Sequence, residues 1–160
     1  LFNDRVWPDM VRLATEETPF MNLVPLESVR PVRIGKLAIT PVPLNHIVPT
    51  FGFVVDDGQS AVAFVSDTAP TQRIWEIANA LPHLKAVFLG ACFPGRMAWL
   101  AEKSAHLTTS LFATEYGKLA RPLPVIVVHI KGAFREEILS ELAALQLPQM
   151  RIGSAGVYEF

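Results

Sequence analysis

Three short apolar runs, Ala61–Val65, Lys85–Leu89 and Pro124–Val128, are separated by stretches whose apolar residues recur at helical spacing. Runs of this length suit buried strands better than helices, and parallel strands need long crossovers of the kind the intervening stretches supply. The alternation therefore predicts an α/β layered fold. The first crossover is a helix with Thr71 as its N-cap and Ile74, Ile77, Ala78 and Leu81 along one stripe. After a loop at Gly90–Arg96, helices are expected at Met97–Lys103 and Thr108–Leu119, with His106 in the break between them. A last helix spans Gly132–Leu145, with Phe134, Ile138, Leu142 and Leu145 on one face.

Upstream, Phe51–Val55 and Ala61–Val65 flank Asp56-Asp57-Gly58-Gln59, a β-hairpin signal because Asp-Gly tolerates the positive φ of a tight turn. Leu37–Leu44 reads as a strand, and Pro41 and Pro43 suggest that it lies at an edge or in an irregular ladder. Residues 1–35 are read as an irregular, partly helical lead-in broken by Pro8, Pro19, Pro25 and Pro31, with a short helix in Trp7–Leu13 and Pro8 in its first turn. The tail, Met150–Ile152 and Val157–Phe160 around Ser154-Ala155-Gly156, is expected to form a hairpin or an edge strand. With no repeat, low-complexity tract or linker, residues 1–160 are expected to form one domain, with the sheet and helices in 36–160.

The content of 51% hydrophobic and 18% charged residues excludes a disordered chain. A formal net charge of −1 argues against a surface that coats polyanions, though not against a small phosphorylated substrate. The single cysteine, Cys92, rules out an intrachain disulfide and fits a reducing, cytoplasmic compartment. No run approaches the ~18 apolar residues of a membrane span. The start, Leu1-Phe2-Asn3-Asp4-Arg5, has no signal-peptide pattern and no initiator Met, so a processed, trimmed or partial chain is expected.

Residue types that bind metals end three of the apolar runs. His46 follows Leu44-Asn45, Asp67 follows Val65-Ser66, and His129 follows Val127-Val128. Carboxylates emerging from buried strands are paired or metal-bound unless they cap a turn, and a His at the C-terminal edge of a central strand stands where α/β folds place ligands. Each has a plainer reading: a turn histidine for His46, an N-cap or Asx turn for Asp67, and a core histidine bonded to backbone for His129. His106 precedes the start of a helix, where free N–H groups favour an anion. Lys131 is either a contact for an anionic substrate or a surface lysine. His83 is expected to be exposed without a catalytic role, and Cys92, between Ala91 and Phe93, to be a packed thiol.

Together these segments resemble the metallo-β-lactamase fold in its phosphodiesterase branch, and class II cyclic-nucleotide phosphodiesterases in particular. The likeness runs from Leu1-Phe2-Asn3…Val6-Trp7-Pro8-Asp9 through Asn45-His46-Ile47-Val48-Pro49-Thr50-Phe51-Gly52-Phe53, Ser66-Asp67-Thr68 and Ala105-His106-Leu107-Thr108 to His129-Ile130-Lys131 and Tyr158-Glu159-Phe160. The tRNA 3′-end-processing endonucleases share the frame. The resemblance implies the C-terminal portion of an αββα sandwich and a dinuclear hydroxide mechanism for phosphodiester hydrolysis with two divalent ions: zinc, with manganese or iron as alternatives. His46 and His129 would be terminal metal ligands and Asp67 the bridge between the metals. His106 would bind the scissile phosphate or protonate the leaving oxygen, with Lys131 as a further substrate contact. The substrate would be a small phosphodiester such as a cyclic nucleotide, with no membrane and no nucleic acid as partner; self-association is left open.

The family's principal motif, His-x-His-x-Asp-His, is not in this sequence, whose four histidines are His46, His83, His106 and His129. In addition, Gly90 stands where relatives tend to carry Glu, Cys92 where they carry Ser, and Ser66 where many carry Gly. Three protein ligands under-coordinate two metals, so this stretch alone is expected to be inactive, its partners lying upstream. The alternatives are a non-catalytic remnant of the fold that acts in assembly, with an exposed apolar face, and a relative of the tRNA-processing nucleases.

Overall fold

A computed structural model describes residues 5, 7–15, 17 and 24–160. Leu1-Phe2-Asn3 and Val6, which carry the N-terminal part of the resemblance, and Pro19 lie outside these residues. The described residues form a seven-stranded mixed sheet in sequence order: β1 (Val32–Ile34), β2 (Leu37–Pro43), β3 (Phe51–Asp56), β4 (Ala61–Val65), β5 (Leu84–Gly90), β6 (Val125–Val128) and β7 (Met150–Ile152). β1 to β4 form an antiparallel meander, and β4 to β7 pair in parallel. The helices are α1 (Met10–Leu13), α2 (Arg73–Asn79), α3 (Ala98–Ser104), α4 (Thr109–Tyr116) and α5 (Arg135–Ala144). This is the α/β layered arrangement the alternation predicts.

The direction of the strands decides where chemistry can collect. β2 and β4 are each antiparallel to β3, and β5 and β6 are parallel to β4. All four therefore run the same way and end at the same edge of the sheet. His46, Asp67, Cys92 and His129 follow the C-terminal ends of these four strands. In open α/β sheets ligands bind at this edge.

The core lies on one face of the sheet. Ala61, Ala63 and Val65 of β4, Val87 and Leu89 of β5, and Val125 and Val127 of β6 pack against Ile74, Trp75 and Ala78 of α2, Phe112 of α4, and Ile138 and Leu142 of α5. Full burial of side chains like Ile138 and Leu142 contributes about 1.5–3 kcal/mol each. α2 and α4 are also locked together by Glu115, which is wholly buried. Its carboxylate accepts from Trp75 Nε1 at 2.6 Å and from Lys118 Nζ at 2.7 Å. The other face carries Phe64, 41% exposed, stacked on Phe88 at 4.9 Å, with Tyr158 edge-on to Phe88. Among the described residues no second sheet covers it.

Several local expectations are corrected. β2 is covered by β1 only at Leu37–Ile39, so Pro41 and Pro43 lie where that ladder has stopped. Pro41 fits there: its carbonyl accepts from Val29 on the side away from β3, so its missing N–H belongs to that outer side, beyond the reach of β1. Pro43 shares that orientation. β1 itself was hidden in a stretch read as irregular, and it turns into β2 at Gly35, whose φ is +59°. α1 starts after Pro8 and is capped by Asp9, which accepts from the Arg12 amide. Gln72 rather than Thr71 holds the N-cap position of α2, and the Thr71 amide instead donates to Glu115. Gly132–Phe134 form a 3₁₀ turn ahead of α5. The tail contributes the parallel edge strand β7, and Val157–Phe160 form no strand.

Candidate metal centre

Four loops converge at the shared strand edge because their backbones are tied in pairs. The loops after β2 and β4 are joined where the Ala69 amide donates to the Asn45 carbonyl at 2.7 Å and Asn45 Nδ2 donates to the Pro70 carbonyl. This ties the loop carrying His46 to the loop carrying Asp67. The Ala91 amide donates to the Val128 carbonyl at 3.0 Å, joining the exits of β5 and β6. The Cys92 amide donates to the Leu107 carbonyl at 3.0 Å, which draws the His106 segment onto the same edge.

Side chains meet accordingly. The His46 and His106 rings lie edge to face with centroids 4.9 Å apart, and the His106 and His129 rings stack at 5.4 Å. His129 Nε2 lies 2.8 Å from Asp67 Oδ1, and His106 Nε2 lies 4.0 Å from the same oxygen. Cys92 Sγ and one ring nitrogen each of His106 and His129 all fall within 4.8 Å of one another. His46, Asp67, His106 and His129, separately identified in the sequence, thus form one cluster. Lys131 is half-buried nearby, and its charge helps to lower the pKa of His106. His83 is remote from the cluster. It is half-buried rather than exposed, with Nε2 3.0 Å from Asp56 Oδ1 at the β3–β4 turn.

Hydrogen bonds set the proton positions on two of the imidazoles. His46 Nδ1 donates to the Ala105 carbonyl at 2.9 Å, since a carbonyl only accepts. Ser104 spends its hydroxyl proton on the Leu100 carbonyl, so His106 Nδ1 donates to Ser104 Oγ at 3.1 Å. In both rings Nε2 is left with its lone pair, the arrangement found in metal-ligating histidines whose other nitrogen donates to a fixed acceptor. Burial, reinforced by the neighbouring His46 and His129 and by the charge of Lys131, keeps the His106 pKa below its usual value, so the neutral ring prevails.

Two features put strain or desolvation here. His129 and Ala105 both adopt left-handed backbone, with φ of +57° and +51°. Such residues cost roughly 1–3 kcal/mol each and concentrate at functional sites. Asp67 Oδ1 is shut off from solvent and accepts no hydrogen bond, its close approach to His129 lacking hydrogen-bond alignment. A desolvated carboxylate oxygen with no donor is costly. With the lone pair of His106 Nε2 facing it at 4.0 Å and His129 Nε2 at 2.8 Å, the atom is suited to a cation, so the donor set fits the divalent metals bound by mixed His and carboxylate sites.

Cys92 belongs to this cluster, which its apolar neighbours concealed. It is fully buried, and burial pushes its thiol up to about 12. Gly90, two residues earlier, is not an open gap left by a lost side chain: a Cβ there would lie 2.2 Å from the Ser66 carbonyl oxygen. A cavity of about 640 Å³ opens beside His106, lined in part by Asn45, Pro70, Ala98, Glu102 and Ser110. Its size falls within the usual range for small-molecule sites.

The sequence profile of the Beta-lactamase superfamily domain matches residues 3–130, and the chain belongs to the metallo-β-lactamase superfamily. The fold is similar to that of unliganded yeast PDE1, with a TM-score of 0.71 and 21% identity over 95% of this chain and 52% of that one. It is also similar to the metallo-β-lactamase fold protein YhfI from Bacillus subtilis (TM-score 0.69, 13% identity, 97% and 61% covered) and to the short form of human tRNase Z (0.55, 13%, 76% and 42%). The chain thus spans about half the length of yeast PDE1. A comparison with curated protein sequences finds no match. Among the described residues no helix is long and apolar enough to cross a membrane.

Proposed function

We propose that this chain carries the downstream part of the active centre of a metal-dependent phosphodiester hydrolase acting on a small phosphodiester such as a cyclic nucleotide. The carrying observation is Asp67 Oδ1, shut off from solvent and without a hydrogen bond, 2.8 Å from His129 Nε2 and 4.0 Å from His106 Nε2. His46 and His129 would each hold a metal through one ring nitrogen, and Asp67, whose carboxylate has two oxygens, would serve both. The metals, zinc in this reading, supply Lewis acidity and a nucleophile at neutral pH. The Ala105 carbonyl holds the His46 ring in its ligating tautomer. His106 and Lys131 face the phosphoryl group, Lys131 through its charge. With Nδ1 tied to Ser104, His106 acts on the leaving oxygen only after a proton reaches Nε2. The cavity beside His106 holds the organic part of the substrate.

The ligand set is completed in this reading by a His-x-His-x-Asp-His segment outside this sequence. A cytoplasmic location belongs to the same reading, since the one cysteine sits as a thiol beside potential ligands. The test is hydrolysis of cyclic AMP, bis(p-nitrophenyl) phosphate and a precursor tRNA by the complete gene product, with bound metal measured. Cyclic AMP cleavage that is lost on chelation and in Asp67→Asn is the expected result. Absence of metal-dependent cleavage of all three overturns the reading, and cleavage of the tRNA alone replaces it with a nuclease.

The open sheet face supports a second reading, a non-catalytic remnant acting in assembly, because Phe64 is 41% exposed on it. A protein that is monomeric in sedimentation and hydrolyses cyclic AMP excludes that alternative.

A further inference from the structure

Cys92 is the chain's single cysteine, wholly buried, and its sulfur lies in the cluster formed with His106 and His129. Two observations independent of the thiol favour a cation beside these two rings. Asp67 Oδ1 is buried without a hydrogen bond, and the His106 proton is held on Nδ1 by Ser104, which leaves Nε2 to face the cluster. We propose that Cys92, His106 and His129 hold a thiophilic divalent ion at a mononuclear site, with Asp67 beside His129 and the fourth position open to water.

The inference rests on reading this strand edge as a metal centre, but it assigns a different ligand set from the two-metal arrangement, with sulfur in it and His106 as a ligand rather than a substrate contact. A tetrahedral site with zinc–sulfur bonds of about 2.3 Å and zinc–nitrogen bonds of about 2.0–2.1 Å holds sulfur and nitrogen about 3.5 Å apart. The three donor atoms already lie within 4.8 Å of one another. Contraction by about 1.3 Å at most brings sulfur and nitrogen to that spacing, and His129, its side chain 33% exposed, lies at the rim. Binding breaks the S–H bond. The proton leaves to solvent, the sulfur electron pair binds the metal, and nothing is oxidised or reduced. A thiolate favours zinc or cobalt over magnesium or manganese.

Cobalt(II) is the probe, added to the 160-residue chain without other thiols. The expected result is near-ultraviolet sulfur-to-cobalt charge-transfer absorption that saturates at a single equivalent. It should disappear in Cys92→Ser and Cys92→Ala, with zinc affinity falling by ~10-fold or more. His83→Ala, remote from the cluster, should leave the spectrum unchanged. Because Cys92 is the one cysteine, the parent spectrum decides the matter even if a variant does not fold. Visible cobalt bands with no charge transfer overturn the sulfur site and leave the metal-centre reading standing. Absence of cobalt uptake overturns the Cys92 site, while the two-metal reading, which takes further ligands from outside this sequence, stands or falls with the hydrolysis test.

Discussion

His129 Nε2 and Asp67 Oδ1 stand 2.8 Å apart, yet that oxygen, closed off from water, accepts no hydrogen bond. A carboxylate oxygen closed off from water and without an aligned donor is stabilised by a cation placed against it and the facing ring nitrogen. Asp67→Asn is therefore expected to preserve the fold and abolish metal stabilisation. Zinc should raise the Tm of the parent and leave the variant unmoved in melts with and without chelator. An equal zinc-induced rise in both would exclude Asp67 as a ligand.

His129 carries its side chain on left-handed backbone, φ +57°, which glycine adopts freely. His129→Gly should relieve about 1 kcal/mol of strain. In a chain of this size that corresponds to a rise of roughly 2–4 °C in the Tm of the metal-free protein. The zinc-dependent rise should vanish. Calorimetry on both forms reads the two effects separately, and a metal-free variant melting below the parent contradicts the strain argument.

Gly90 packs against the Ser66 carbonyl so closely that Gly90→Ala must move backbone. The expected cost is about 1–3 kcal/mol, seen as a lower urea midpoint at unchanged slope. Gly90→Glu, the residue relatives tend to carry, should destabilise at least as much and restore no activity. An unchanged midpoint for Gly90→Ala would contradict the close approach.

Asp56 has its carboxyl pKa lowered from 3.8, chiefly by the hydrogen bond from the Gly58 amide and further by His83. The folded protein therefore keeps this carboxylate charged at a pH where the unfolded chain is protonated. Its stabilisation is complete above pH 3.8 and is lost as pH falls through the lower folded value. Asp56→Asn should flatten the acid limb of stability against pH without levelling it, because Asp57 is lowered too, by the Ser60 and Gln59 amides. Urea midpoints measured across the acid range decide it, and parallel curves for parent and variant would refute the assignment.

The layered α/β class, the β3–β4 hairpin and the strand-end positions of His46, Asp67 and His129 could be read from the sequence because each depends on local order: apolar runs, an Asp-Gly turn, and a polar residue directly after a strand. β1 escaped notice because three residues between Pro31 and Gly35 form a strand only when β2 is there to pair with them. Cys92 escaped because an apolar-flanked cysteine looks the same in sequence whether its sulfur faces core or cluster. Only the bonds joining Cys92 to Leu107 and Ala91 to Val128 turn it toward His106 and His129. The sequence alone determined which residue types stand at the strand ends, since hydrophobic periodicity is a property of neighbours along the chain. The tertiary structure decided that four strands share one direction, and so that these residues meet at one edge. That outcome depends on pairings between segments far apart in the chain, which local periodicity does not encode.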